Sequence, residues 1–309
     1  VLRRYRGRLL LLLSLLGGTA LAGYMHWDDR GLFWLQQQRS TPAERAAAIW
    51  LPDYHAVIDG KPLQGLEEDE TSGLTYHPAT GTLFTVTGRN PLLVELSRQG
   101  DVLRRIRLRG FADPEAVEVL GANRLGIVDE RQRQLVVFEL SAATREIDAA
   151  DWPGYDLGFA SAGNKGFEGM AWNPRTQSLL LAKEREPLGL FSLPFPGEDG
   201  APGALQPLRG GHLFVRDLSS LTYDLRTGHT LVLSDESRLL LELDAAGQPV
   251  SFISLLGGQR GLKFSIGQAE GVATPVGDAD LLRAWNMIDN EHQRRAVLTL
   301  MRSMGPGQA

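Results

Sequence analysis

The sequence predicts an all-β fold, a five-bladed β-propeller preceded by an N-terminal transmembrane helix. Three observations predict it. Similar segments return along the chain, starting at Ser72, Glu115, Glu168, Ser219 and Glu270, at spacings of 43, 53, 51 and 51 residues. The 35 glycines and 16 prolines in 309 residues favour tight turns and short strands over long helices. Near the N-terminus, Leu9 to Trp27 carries no charge.

The repeat builds the body. Each unit reads as strand, turn, strand, loop, strand, often with a fourth strand. The third strand recurs as "LLVELS", "LVVFELS" and "LLLELD", and the turns as "PATG", "LRTG", "RQGD" and "AAGQ". A period of roughly 40–50 residues with four strands per unit marks a propeller. A propeller must close, because an open edge strand is sticky. Tyr54 to Leu63 has strand character and no blade of its own, so it is expected to serve as the outer strand of the last blade.

The N-terminus comes next. Arg3, Arg4, Arg6 and Arg8 precede the apolar run, and Asp28 and Asp29 follow it. Nineteen residues at ~1.5 Å each match the hydrocarbon core of a bilayer. The positive-inside rule then leaves the N-terminus in the cytoplasm and the body in the periplasm, on a single-pass inner-membrane anchor. "TALA" before Gly23 also resembles a signal-peptidase site, and the cleaved-signal reading stays open beside the favoured anchor. In "STPAERAAAIW", Thr41 is placed to cap a short helix, with Pro42 at its first position and Glu44 completing a capping box. The expected divisions are 1–27 (basic tip and span), 28–52 (linker with a short helix), 53–273 (propeller) and 274–309 (divergent tail).

Several classes of chemistry are excluded. There is no cysteine, so disulfides, thiolate catalysis and cysteine-bound metals are absent. A net charge of −5 gives no global drive towards nucleic acid. No G-x-S-x-G elbow or P-loop occurs. Six histidines are present, none paired at metal-ligand sequence spacing. "EEDE" (Glu67 to Glu70) reads as a solvated acidic turn. Trp152, Trp172 and Trp285 read as core, and Gly158 to Gly169 as a glycine-rich blade connection near the channel mouth.

One pattern points to chemistry. In a blade the first strand lines the channel and the second runs antiparallel to it. The start of one and the end of the other therefore share a mouth. Glu115, Glu168 and Glu270 stand at starts; Glu130, Glu184 and Glu236 stand at ends, at offsets of 15 to 17 residues. Like charges gathered there need a cation or basic partners. An oxygen-only donor set suits calcium better than zinc. Arg131, Lys183, Arg185 and Arg238 adjoin those glutamates, so a ring of salt bridges is the competing reading.

The segments "SGLTY", "GFEGMAW", "SSLTYD", "LSDESR" and "QAEGVA", with "YHAVIDGKPLQG" and the N-terminal anchor, resemble the SdiA-regulated (YjiK-like) protein family, from about Leu51 to Ala273. The resemblance implies a five-bladed propeller distantly related to NHL-repeat propellers, calcium binding, and no established catalytic activity. It carries the calcium role to Glu115, Glu168 and Glu270, with Glu130, Glu184 and Glu236 second. The chain departs from the family pattern after Ala273. There "LLRAW" and "RAVLTLM" read as strands, while Asp278 to Met304 also reads as an amphipathic helix. The expected function is a membrane-tethered binding or scaffold module for a protein or small-molecule ligand. A metal-dependent hydrolase or lactonase is the alternative.

Overall fold

The computed structural model describes residues 2–66, 69–159, 165–195, 202–274, 281–288 and 294–302, with side chains for those between 8 and 274. Glu67 and Glu68 of the acidic turn, residues 160–164 of the glycine-rich connection, and the side chain of Trp285 lie outside this set.

Among the described residues five sheets form, one for each repeat, antiparallel apart from one short pairing in the first. Their inner strands are Thr71–His77, Pro114–Val119, Phe167–Asn173, Ser220–Tyr223 and Gln268–Ala273. Each inner strand packs beside the next, and the last beside the first, so the sheets close a ring. The fold is an all-β propeller. Burial along the strands follows from this arrangement. A middle strand such as Leu239–Leu243 is buried along its whole length. The outer strand Val102–Arg109 alternates instead, with Ile106 and Leu108 inward and Arg105, Arg107 and Arg109 outward. Turn glycines take the left-handed conformation that a side chain would disfavour, with φ of +68° at Gly81 and +77° at Gly228.

The described core consists of five apolar clusters, one in each gap between neighbouring sheets. Phe84, Ile106, Val117 and Phe138 fill the gap between the first and second sheets. Met170, Leu179, Leu181 and Phe195 belong to the cluster between the second and third. Leu63, Leu74, Leu83 and Ala273 close the gap between the fifth and first.

Closure uses both ends of the chain. The fifth sheet runs Tyr54–Pro62, Arg294–Arg302, Leu281–Ile288, Gln268–Ala273 from outside to inside. The tail therefore supplies two strands rather than a helix: Trp285 pairs with Val297, and Tyr54 with Arg302. Glu146–Asp148, from the second unit, adds in parallel to the outer strand of the first sheet and straps the two sheets together.

At the N-terminus, helix Leu2–Tyr24 and helix Trp27–Gln38 meet at a bend of 62°. Neither is long and apolar enough to cross a membrane alone; Arg8–Tyr24 and Trp27–Gln38 meet that requirement only together. The second helix docks on the fourth sheet. Phe33 stacks on Phe214 and Phe252, and Arg30 donates to the Phe214 and Ser237 carbonyls. Helix Pro42–Ala47 follows, with the Thr41–Glu44 capping box formed. The chain is then pinned by the fully buried Glu242, which accepts from the Ile49 and Trp50 amides at 2.7 and 3.0 Å.

Candidate metal centre

The inner strands start irregularly. Register shifts fall between Ser72 and Thr75, Pro114 and Ala116, Phe167 and Gly169, and Gln268 and Gly271. Glu115 and Glu168 are each the extra residue of such a bulge, and Glu270 lies within one. A bulge breaks pairing and re-aims its side chain, which explains why a carboxylate can stand at the entrance of a buried strand. The strands also approach closely there. A Cβ on Gly169 would lie 3.0 Å from the Ser220 and Leu221 backbone.

The result is a chain of carboxylates across the second and third sheets. Oxygens of Asp113, Glu115 and Glu130 lie within 4.8 Å of one another, and so do those of Glu130, Glu168 and Glu184. Glu130 belongs to both groups. Ser72 donates its hydroxyl to Glu115, and the Gly166 amide donates to Glu130 at 2.6 Å. Glu168 has no hydrogen-bond or ion-pair partner among the described residues.

The electrostatics follow. Burial first, then the charges of Glu270, Glu184, Glu115 and Glu130, push Glu168 up to about 11. Burial also raises Glu115, against the Ser72 hydrogen bond, with Glu270, Asp113 and Glu130 adding to the rise. Glu130 is raised by burial against the Gly166 amide, and Glu184 by burial against Arg185. Without a cation these groups are held partly protonated; with one they can ionise together.

Salt bridges account for only part of the ring. Arg185 reaches Glu184 and, at 2.9 Å, Glu236. Arg216 reaches Glu236 at 2.9 Å, and Arg131 turns to Asp113 at 2.9 Å. Lys183 gives its ammonium to the Lys165 and Arg185 carbonyls. Glu115 and Glu168 receive no basic side chain among these pairs.

Of the six glutamates expected at the mouth, the structure gathers Glu115, Glu130, Glu168 and Glu184, with Glu270 acting electrostatically on Glu115 and Glu168. Glu236 is held by Arg216 and by Arg185, which also reaches Glu184, and its charge adds to the rise of Glu184. The register explains this. Gly88, Glu130 and Glu184 each donate their amide to the residue before the inner strand, Glu70, Asp113 and Gly166. The fourth-sheet counterpart by sequence is Asp235: "TGR", "DER", "KER" and "SDE" align, and Asp235 lies 16 residues after Ser219. Asp235 accepts from the Ala269 amide of the next sheet at 3.1 Å, as Glu130 does from Gly166. Burial raises it to about 6. Asp113 was also missed; it lies just outside the repeated segment. Asp129 and Asp217 are different in kind. Asp129 accepts from the Ala112 and Gln132 amides, Asp217 from those of Asp235 and Glu236, so both are satisfied by backbone amides of their own repeat units.

Gly166 is required by this arrangement, since a Cβ there would lie 2.6 Å from Glu130 Cγ. Gly166→Ala should displace Glu130, weaken cation binding by about tenfold (~1.4 kcal/mol) and cost ~1–3 kcal/mol of stability. Calorimetric titration and thermal melts check both; unchanged affinity would remove Glu130 from the site.

The family model described as SdiA-regulated matches residues 46–279. Among solved structures, the chain is similar to a gluconolactonase from Xanthomonas campestris, at 14% identity over 84% of this chain and 93% of that one, with a TM-score of 0.51. It is also similar to regucalcin, a calcium-binding protein from Agrobacterium tumefaciens strain C58, at 13% identity over 79% and 93%, with a TM-score of 0.48. At 14% identity the likeness to the gluconolactonase is one of fold alone.

Proposed function

Because the chain belongs to the SdiA-regulated family, we propose that it is a calcium-binding five-bladed propeller, tethered to the inner membrane with its body in the periplasm. Its propeller face serves as a binding or scaffold surface. The observation that carries the metal reading is Glu130, shared between two carboxylate groups, beside a Glu168 that has no hydrogen-bond partner among the described residues. The donor set fits the ion. Every candidate ligand in these two groups is an oxygen, and calcium takes 6–8 oxygens where zinc prefers nitrogen and sulfur. Glu130, Glu168 and Glu184 would hold the ion, with Glu115 and Glu270 beside them. Bound calcium supplies positive charge that lets these carboxylates ionise, and it ties the second sheet to the third. Binding is favoured over hydrolysis because the groups contain no histidine to act as base, and a shared fold carries no activity. Calorimetry tests the proposal: calcium should bind with release of protons, and Glu168→Gln should abolish most of the heat. No binding to the wild-type protein would overturn it.

The apo protein has a characteristic pH dependence. Glu168, up to about 11, and Glu118, pushed up to about 8 by burial against a Thr75 hydrogen bond, bind protons in the native state that the unfolded chain has released. Stability from such groups is complete below the ordinary carboxylate range and is lost as pH rises through the raised values. In chelator, the melting temperature should fall from pH 6 to pH 9; in calcium the fall attributable to Glu168 should disappear. A chelated protein that gains stability over that range would contradict this.

Membrane attachment is supported by the apolar face of the first helix, where Leu9 to Leu13, Leu15 and Leu16 are all more than half exposed. Exposure on this scale calls for a lipid cover. The protein should remain in the membrane fraction after carbonate washing, with the propeller open to protease from the periplasmic side. Recovery of a soluble periplasmic form beginning at Gly23 would show a cleaved signal instead.

A further inference from the structure

A second group of metal-ligating side chains lies far from the channel mouth. His26 sits at the bend between the two N-terminal helices, and Asp29 in the first turn of the second. His212 comes from the propeller, in the segment leading to the fourth sheet. One oxygen of Asp29 lies 3.5 Å from His26 Nδ1 and 3.1 Å from His212 Nε2, and all three donors fall within 4.8 Å of one another. We propose that His26, Asp29 and His212 form a zinc-type divalent-metal site that staples the N-terminal helices to the propeller.

The geometry carries this. Tetrahedral ligands at ~2.0–2.1 Å from a zinc ion stand roughly 3.3–3.4 Å apart. The two donor separations bracket that value. Two imidazoles with a carboxylate are the ligand type of zinc and its transition-metal neighbours, not of calcium. With three protein ligands, the ion would keep a position open for water.

The donors are also held in place by contacts that owe nothing to a metal. On the helix side, Arg30 donates to the Phe214 and Ser237 carbonyls, and Phe33 stacks on Phe214 and Phe252. Phe252 donates its amide to Gln37 Oε1 at 2.9 Å. Arg216 donates to the Tyr24 hydroxyl at 2.6 Å and lies over the Tyr24 ring. These contacts fix the helix bend against the fourth sheet. The site is therefore preorganised, so an ion pays little ordering entropy on binding. Sequence spacing could not show it, because His26 and His212 are 186 positions apart.

The consequence is a link between metal supply and the position of the propeller relative to its anchor. Phe33, Arg30 and Gln37 dock the helix without metal; the ion adds a bond between the bend and the body. The proposal is independent of the calcium site, whose failure would leave it untouched.

The test uses the full chain in detergent, with excess calcium present so that the carboxylate mouth is not the zinc binder. Zinc is titrated calorimetrically, and cobalt is titrated as a spectroscopic probe of nitrogen and oxygen coordination. Wild-type protein should take up one zinc, and cobalt should give visible bands that zinc displaces. His212→Ala, His26→Ala and Asp29→Asn should each weaken zinc by more than the roughly 10–100-fold that loss of an outer-shell partner costs. His55→Ala, a change at an exposed strand residue, should bind as wild type. Zinc should also slow proteolysis between the helices and the body in wild-type protein but not in His212→Ala. Since His212 is 66% exposed in its side chain, its replacement leaves the fold intact. Absence of zinc uptake by wild-type protein, or uptake unchanged in all three variants, would overturn the proposal and leave a hydrogen-bonded trio.

Discussion

Calcium at about 100 times its Kd should raise the melting temperature by roughly 5–10 °C, because a ligand bound only to the native state adds ~2.7 kcal/mol there and each kcal/mol moves a domain of this size by ~2–4 °C. Glu168→Gln should lose most of this gain. The amide mimics the protonated acid that burial and four neighbouring carboxylates already impose on Glu168. The variant should therefore be at least as stable as wild type without calcium above neutral pH. This pairing separates a binding role from a structural one. A residue needed for folding would lower stability in both conditions. A wild-type melt indifferent to calcium and chelator would return the mouth to a protonated, partly salt-bridged ring.

The second large effect concerns closure. Ending the chain after Ala273 should abolish cooperative unfolding. The deletion removes Leu281–Ile288 and Arg294–Arg302, and with them every sheet partner of Tyr54–Pro62. Leu63, Leu74 and Ala273, buried in the gap between the fifth and first sheets, would lose cover. Uncovering a few such side chains at ~1.5–3 kcal/mol each rivals the ~5–15 kcal/mol that holds a whole domain. Circular dichroism and thermal melts of the truncated chain decide it. An unchanged melting temperature would show that the tail contributes nothing to closure.

Much of this architecture is legible in the sequence because a propeller repeats. The inner-strand starts, the capping box at Thr41 and the closing strand at Tyr54 each rest on a local pattern with a physical cause. Legibility fails where the cause is not local. The tail carries no repeat signature, and "LLRAWNMI" suits either period; pairing with Tyr54–Pro62 decides for strand. The Glu146–Asp148 strap is three residues long and joins a sheet built by another unit. At the mouth, the repeat places Glu130 and Glu184 just after their second strands, where the structure has them, while the matching position of the fourth unit is one residue before Glu236. Glu236 is the nearest glutamate there, yet Asp235 holds the register, and Glu236 stands where the other units carry Arg89, Arg131 and Arg185. Aligning strand ends rather than matching residue type would have found it. The pull of burial on Glu168 depends on a bulge, which spacing does not announce.

The carboxylates around Glu130 are proposed to hold a cation. A crystal structure grown in calcium, with anomalous scattering recorded to locate the ion, measures this most directly. A peak is expected among Glu130, Glu168 and Glu184, with oxygens at ~2.3–2.6 Å. A mouth without a peak, in crystals soaked in excess calcium, would contradict it.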